Sequence, residues 1–192
     1  MKHYIDIKLL PSADIGLYFL WEKVFAQIHL GLARMTGADG NGSIGISIPD
    51  YDAANNKLGN RLRVLCPDYR NIEELNVPDL LSRLVEYVHV TGIRDVPDKI
   101  ETYARYKRQQ PKSNNVRMAR RKAKREVIGY DDALNLISSR KEEKVRTPYI
   151  NMNSQSTDRR FKLFIVQEIV EEIIEEGFSS YGLSTISTVP KF

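Results

Sequence analysis

Hydrophobic positions alternate from Tyr4 to Leu9, with Ile5, Ile7 and Leu9 on one side, and this predicts a strand. Leu17, Trp21, Val24, Ile28 and Leu32 then recur at helical spacing. Asp14 is placed to cap that helix, and the glycines between Gly37 and Gly40 to end it. NGSIGISIP predicts a second strand closed by Pro49. NRLRVLC predicts a third, with Leu62, Val64 and Cys66 alternating against Arg61, Arg63 and Leu65. The connection PDYDAANNKLG is polar and rich in turn formers. A second helical region is predicted over 68–87, broken at Val77-Pro78, and a strand around Val88 to Thr91 follows it.

The order strand, helix, strand, strand, helix, strand is the ferredoxin-like one, a four-stranded antiparallel sheet with two helices on one face. Residues 99–110 then read as extended, and the character changes after Pro111. A basic helix is predicted over 115–127, and Asp131 opens a shorter one in DDALNLISSR. Two strand-like runs follow, YINMNSQS and RFKLFIVQEIV, then the acidic EEIIEE and a Gly-rich tail, GFSSYGLSTISTVPKF. The expected fold class is α+β, with the boundary somewhere in 95–111. Residues 1–98 form the ferredoxin-like domain; residues 99–192 form a divergent α+β domain carrying the basic helix.

Composition narrows the class without naming a function. The 192 residues are 42% hydrophobic and 28% charged, as in globular proteins. No apolar run approaches the roughly twenty residues that span a bilayer. The start, MKHYIDIKLL, does not read as a signal peptide, and the expected location is cytoplasmic. Cys66 is the one cysteine, which excludes an internal disulfide and reads as a core thiol.

Net charge is only +4, but its distribution is uneven. Ten basic residues and no acid lie between Arg105 and Arg125, so the remainder is net acidic. Within the helix, Arg117, Arg120, Arg121, Lys124 and Arg125 share an arc of about 140° at 100° per residue, and Lys122 strays. Ala119, Ala123 and Val127 occupy much of the far side, suited to close packing. Solvated helix faces interleave signs, because like charges at i, i+4 repel. Here Arg117/Arg121, Arg120/Lys124 and Arg121/Arg125 are all like pairs, and a polyanion would relieve them. Nucleic acid is the expected partner; the charge pattern leaves DNA and RNA open.

Candidate chemistry is sparse. Asp50/Asp52, Asp131/Asp132 and EEIIEE read as turn, cap and solvated residues, so no metal or other cofactor is expected. RNA can be cut without a metal, because its own 2′-OH attacks the adjacent phosphate once a base removes the proton, and histidine suits that task. His3 and His89 read as incidental. His29 follows the apolar position Ile28, at the rim of the buried helix face. SQST at 154–157 offers hydroxyls between two strands, and Tyr181 stands in SSYGLS.

Together the segments resemble a known family, the CRISPR-associated endoribonucleases that process precursor CRISPR RNA in subtype I-F systems. The resemblance rests on HYIDI, on His29 within QIHLGL, on IGISIPDYD followed by LGNRLRV, and on RQQPKSN before the basic helix. SQST followed by FKLFI, and YGLS with a terminal VPKF, complete the series. It runs nearly end to end.

The resemblance implies metal-independent cleavage at the 3′ base of the repeat stem-loop by 2′-OH attack. A 2′,3′-cyclic phosphate would be left, and the protein, a monomer when alone, would stay on the guide RNA beside other subunits of a surveillance complex. His29 would act on the 2′-OH proton, Ser154 would hold that hydroxyl and Tyr181 would orient the histidine. Arg108 and Gln110 would read base edges and Phe161 would stack on the terminal pair. Arg117, Arg120, Arg121, Lys124 and Arg125 would hold phosphates. Lys124 stands where arginine is expected, and Glu126 where a basic or polar phosphate contact is expected. Two other readings are a hairpin-binding subunit without activity and a duplex-DNA-binding protein.

Overall fold

The computed structural model describes residues 1–110, 115–138, 146–154 and 159–192. The chain forms two compact units, Met1–Gln109 with Thr147–Phe192, and Gln110–Arg146.

The larger unit contains two antiparallel sheets. The first holds β1 (His3–Leu9), β2 (Gly45–Ser47), β3 (Arg61–Cys66) and β4 (Val88–Val90) in the order β2-β3-β1-β4, with β5 (Arg94–Asp95) also pairing β1. Helix α1 (Leu17–Met35) joins β1 to β2. Helices α2 (Tyr69–Leu75) and α3 (Val77–Leu80) join β3 to β4. That succession with that strand order is the ferredoxin-like arrangement. The second sheet holds β6 (Thr102–Gln109), β7 (Tyr149–Asn153), β8 (Arg160–Val170) and β9 (Val189–Lys191) in the order β7-β8-β6-β9.

Local sequence accounts for the helix breaks. Asp68 caps α2 by accepting from the Arg70 backbone N–H at 3.0 Å, and Asn76 then turns left-handed (φ 45°) so that Pro78 can open α3. Asp14 does not cap α1. Gly16 occupies that position without a side-chain bond, while Ser12 Oγ accepts from the Ile15 N–H at 3.2 Å and shapes the approach. The chain needs two more residues of turn before the helix can start.

The expected alternation in β3 is also absent: every residue after Arg61 is buried, Arg63 and Leu65 included. One continuous core runs from Ile5, Trp21 and Val64 to Ile150, Leu163 and Val189, so the second sheet's side chains help to cover what would otherwise be a solvent face. Arg63 enters that interior paired with Asp6 through Nε and Nη2 at 2.7 and 3.0 Å, its register partner on β1. The Tyr4 and Phe192 rings lie 4.5 and 3.9 Å from its guanidinium carbon. Tyr106 on β6 ties the sheets together: its hydroxyl bonds Ser47 Oγ at 3.3 Å and Gln167 Nε2 at 2.6 Å and donates to the Ile48 carbonyl at 3.0 Å.

The smaller unit contains α4 (Asn115–Glu126) and α5 (Tyr130–Ser138). Ala119 is fully buried and Ala123 half-buried against Ala133, Leu134 and Ile137. Val127 departs from expectation: it is 91% exposed with φ 54°, because the helix ends one residue earlier and the chain reverses there into α5.

Candidate functional site

His29 lies on α1 one residue after the fully buried Ile28, so its ring stands half-buried at the edge of the core. Its Nδ1 lies 2.8 Å from the Ser180 carbonyl oxygen. A carbonyl can only accept, so Nδ1 carries a proton, and in its neutral form the ring presents Nε2 as the base. The Tyr181 ring stacks on the imidazole, with centroids 4.0 Å apart and planes 3° from parallel. Hydrogen bond and stack together fix both the tautomer and the tilt of the ring.

Gly182 brings this turn to the histidine. It has φ +68°, and a Cβ there would lie 2.6 Å from Ile46 Cγ2. Its carbonyl accepts from the Ile46 N–H at 3.0 Å, laying the 179–182 turn directly on β2. A glycine after Tyr181 in a Ser/Gly-rich tail was a readable signal for such a turn. The Ser180 carbonyl, a backbone atom 151 residues from its donor, carried none.

Ser154 follows β7, a strand that packs against α1. Its N–H donates to the Arg159 carbonyl at 2.9 Å. The rest of SQST lies outside the described residues. Arg160, at the start of β8, donates to Glu22 Oε1 at 3.2 Å. Glu22 precedes His29 by about two helical turns and so faces nearly the same way. This ion pair, invisible to motif reading, ties the β7–β8 pair to the helix that carries His29.

Arg108 and Phe161 come together on the second sheet, the guanidinium carbon 5.2 Å from the ring centroid. Arg108 and Tyr181 also line one cleft. Gln110 is exposed just beyond β6, while its neighbour Gln109 accepts from Thr147 Oγ1 at 3.1 Å. The basic run is less uniform than it reads. Antiparallel register sets Arg105 opposite Glu168, which binds both Arg105 and Lys107. The Lys107 ammonium holds that carboxyl below its ordinary pKa.

In the smaller unit, Arg117, Arg120, Arg121, Lys124 and Arg125 are exposed along α4. Glu126 is engaged by Lys122 at 2.6 Å and Arg125 at 2.8 Å, which lower its pKa. Lys122, the cation off the common arc, makes its pair at i, i+4, one helical turn from Glu126.

A family model described as CRISPR-associated protein (Cas_Csy4) matches residues 4–192. Two curated relatives, each named CRISPR-associated endonuclease Cas6/Csy4, align over the whole of this chain and of themselves. The protein of Escherichia coli (strain UTI89 / UPEC) is 33% identical over 193 residues. The one from Pseudomonas aeruginosa (strain UCBPP-PA14) is 32% identical over 201 residues.

Proposed function

The chain belongs to the Cas_Csy4 family of CRISPR-associated proteins, and from that premise we propose that it is an endonuclease that cuts precursor CRISPR RNA at the 3′ base of the repeat stem-loop. The observation that carries the reading is the state of His29, with Nδ1 bound to the Ser180 carbonyl and the ring stacked on Tyr181.

In the proposed reaction, His29 Nε2 removes the proton from the 2′-OH of the last stem nucleotide. The 2′ oxygen attacks the adjacent phosphorus, and the bond to O5′ breaks. The guide keeps a 2′,3′-cyclic phosphate, the departing O5′ takes a proton from solvent water to become a 5′-hydroxyl, and the imidazolium returns its proton to solvent. The nucleophile is intramolecular, so the protein's task is to orient it and remove its proton. Ser154 holds the 2′-OH and Tyr181 orients the base. As His29 becomes imidazolium, its bond to Ser180 becomes charge-assisted and strengthens.

Arg108 and Gln110 read guanine and adenine edges at the stem foot, and Phe161 stacks beneath the terminal pair. The α4 cations Arg117, Arg120, Arg121, Lys124 and Arg125 grip the hairpin backbone. In domain terms, 1–98 supplies the general base and 99–192 the recognition surface. The product stays bound, making the protein a subunit of the type I-F surveillance complex with low turnover.

The test is a repeat hairpin carrying one 2′-deoxy substitution at the cleavage nucleotide, incubated in EDTA beside the all-ribose RNA. The all-ribose RNA is cut and the deoxy RNA is not; cutting of the deoxy RNA would rule out the mechanism. His29→Ala abolishes cleavage while hairpin affinity stays near wild type, and loss of both would make the histidine structural.

A further inference from the structure

Between β8 and β9 the chain has no regular secondary structure, yet its own hydroxyls hold it firmly. Ser187 Oγ accepts from the Glu176 and Gly177 N–H groups and donates to the Gly177 carbonyl, each at 2.9 Å. Ser184 Oγ accepts from the Ile186 and Ser187 N–H groups at 3.1 and 2.9 Å. Gly42 and Phe178 exchange two backbone bonds, at 2.7 and 2.9 Å, fastening this segment to the loop before β2.

The walls so fixed enclose a cleft of about 560 Å³, lined by Asn41, Arg108, Glu176, Tyr181, Leu183 and Ile186 among others. That volume falls in the roughly 300–1,000 Å³ of small-molecule sites. The lining pairs one cation, Arg108, with one carboxylate, Glu176, and so offers a base both a donor and an acceptor. Ile186, 46% exposed, offers apolar surface. The Glu176 carboxylate repels phosphate but accepts hydrogen bonds from an exocyclic amino group, as acidic side chains do from cytosine N4. Unpaired RNA bases are recognised in this way, by a face and an edge.

We infer that this cleft binds the base of the first unpaired nucleotide 3′ of the cleavage site, with preference for a base bearing an exocyclic amino group. The inference rests on the cleavage reaction proposed above. In that reaction the attacking oxygen is held on the stem side, while the leaving O5′ belongs to the next nucleotide. Displacement needs the two oxygens aligned through phosphorus, and an unheld downstream nucleotide satisfies that only occasionally. A seat for its base beside Tyr181, whose ring also packs on His29, fixes the second half of the geometry.

The experiment measures single-turnover cleavage at saturating full-length protein. The RNAs are a repeat hairpin with an abasic residue at the first 3′ nucleotide, one with an abasic residue at the adjoining 5′ flank, and the intact RNA with each of the four bases at the 3′ position. The 3′ abasic RNA is expected to be cut about tenfold more slowly, the 5′ abasic RNA at the intact rate, and uridine more slowly than cytidine. Affinity for the product hairpin, which lacks that nucleotide, does not change. Thr185→Trp and Ile186→Asp, with melting temperature as a check on folding, slow the intact RNA but add nothing to the 3′ abasic defect.

Equal rates for the intact and 3′ abasic RNAs would overturn the inference, as would a defect confined to the 5′ abasic RNA. Failure of the wild-type protein to cut any of them would instead overturn the cleavage reading, and this inference with it.

Discussion

Gly182→Ala tests how the histidine is positioned without touching it. The substitution asks an L-residue to adopt φ +68° and sets a Cβ 2.6 Å from Ile46 Cγ2, with the Ile46 backbone nitrogen at 3.2 Å. The left-handed conformation costs roughly 1–2 kcal/mol. Forcing a methyl into a packed site adds about 1–3 kcal/mol. The global loss expected in urea unfolding is therefore about 2–5 kcal/mol, a large share of a domain's stability. Where the variant remains folded, the 179–182 turn must lift from β2 and draw the Ser180 carbonyl away from His29. A hydrogen bond to a charged group is worth about 1.5–3 kcal/mol, so single-turnover cleavage should fall roughly 10- to 150-fold while hairpin binding changes little. The assay pairs urea melts with cleavage and filter-binding of the same repeat RNA. Wild-type stability would refute the steric reading, and a folded variant cutting at the wild-type rate would refute the claim that this turn orients the base.

Three further outcomes are expected. Arg160→Glu, which sets two carboxylates together beside α1, lowers the cleavage rate several-fold, and the exchange Glu22→Arg/Arg160→Glu restores it; an exchange no better than the single change would show the pair has no positioning role. Replacing Arg121 or Lys124 on α4 with Ala weakens hairpin binding and reduces the slope of log affinity against log salt by about 0.7 for each phosphate left without its cation, measured by filter-binding across a salt series; an unchanged slope would mean that the residue does not neutralise a phosphate. The Cys66 thiol donates to the Asp68 carbonyl at 2.9 Å, and burial pushes its pKa up to about 11. With so little thiolate at pH 8, native protein should be labelled by iodoacetamide far more slowly than unfolded protein, with the gap narrowing as pH rises toward 11; equal rates at pH 8 would contradict the buried site.

Much of the architecture was legible because its signals are local. Alternation in β1, helical spacing through α1, the Val77-Pro78 break and the signed arc of α4 each depend on neighbours a few residues away. The ferredoxin-like order followed from their succession, and the resemblance singled out His29 and Tyr181 and implied that the one orients the other, without the geometry. What the tertiary structure decided depends on atoms far apart in sequence. Only the 179–182 turn lying on β2 brings Tyr181 onto His29 and sets which ring nitrogen carries the proton, through a backbone carbonyl that no side-chain pattern encodes. Antiparallel register puts Glu168 beside Arg105 and Lys107 and takes two cations out of a run that reads as wholly basic. The same long-range packing buries the Arg63–Leu65 face of β3, because a charged face is tolerated inside only when a partner such as Asp6 arrives with it. Short-range order can be written into adjacent residues, but a proton's location, a charge's partner and a face's exposure are properties of what the folded chain brings near.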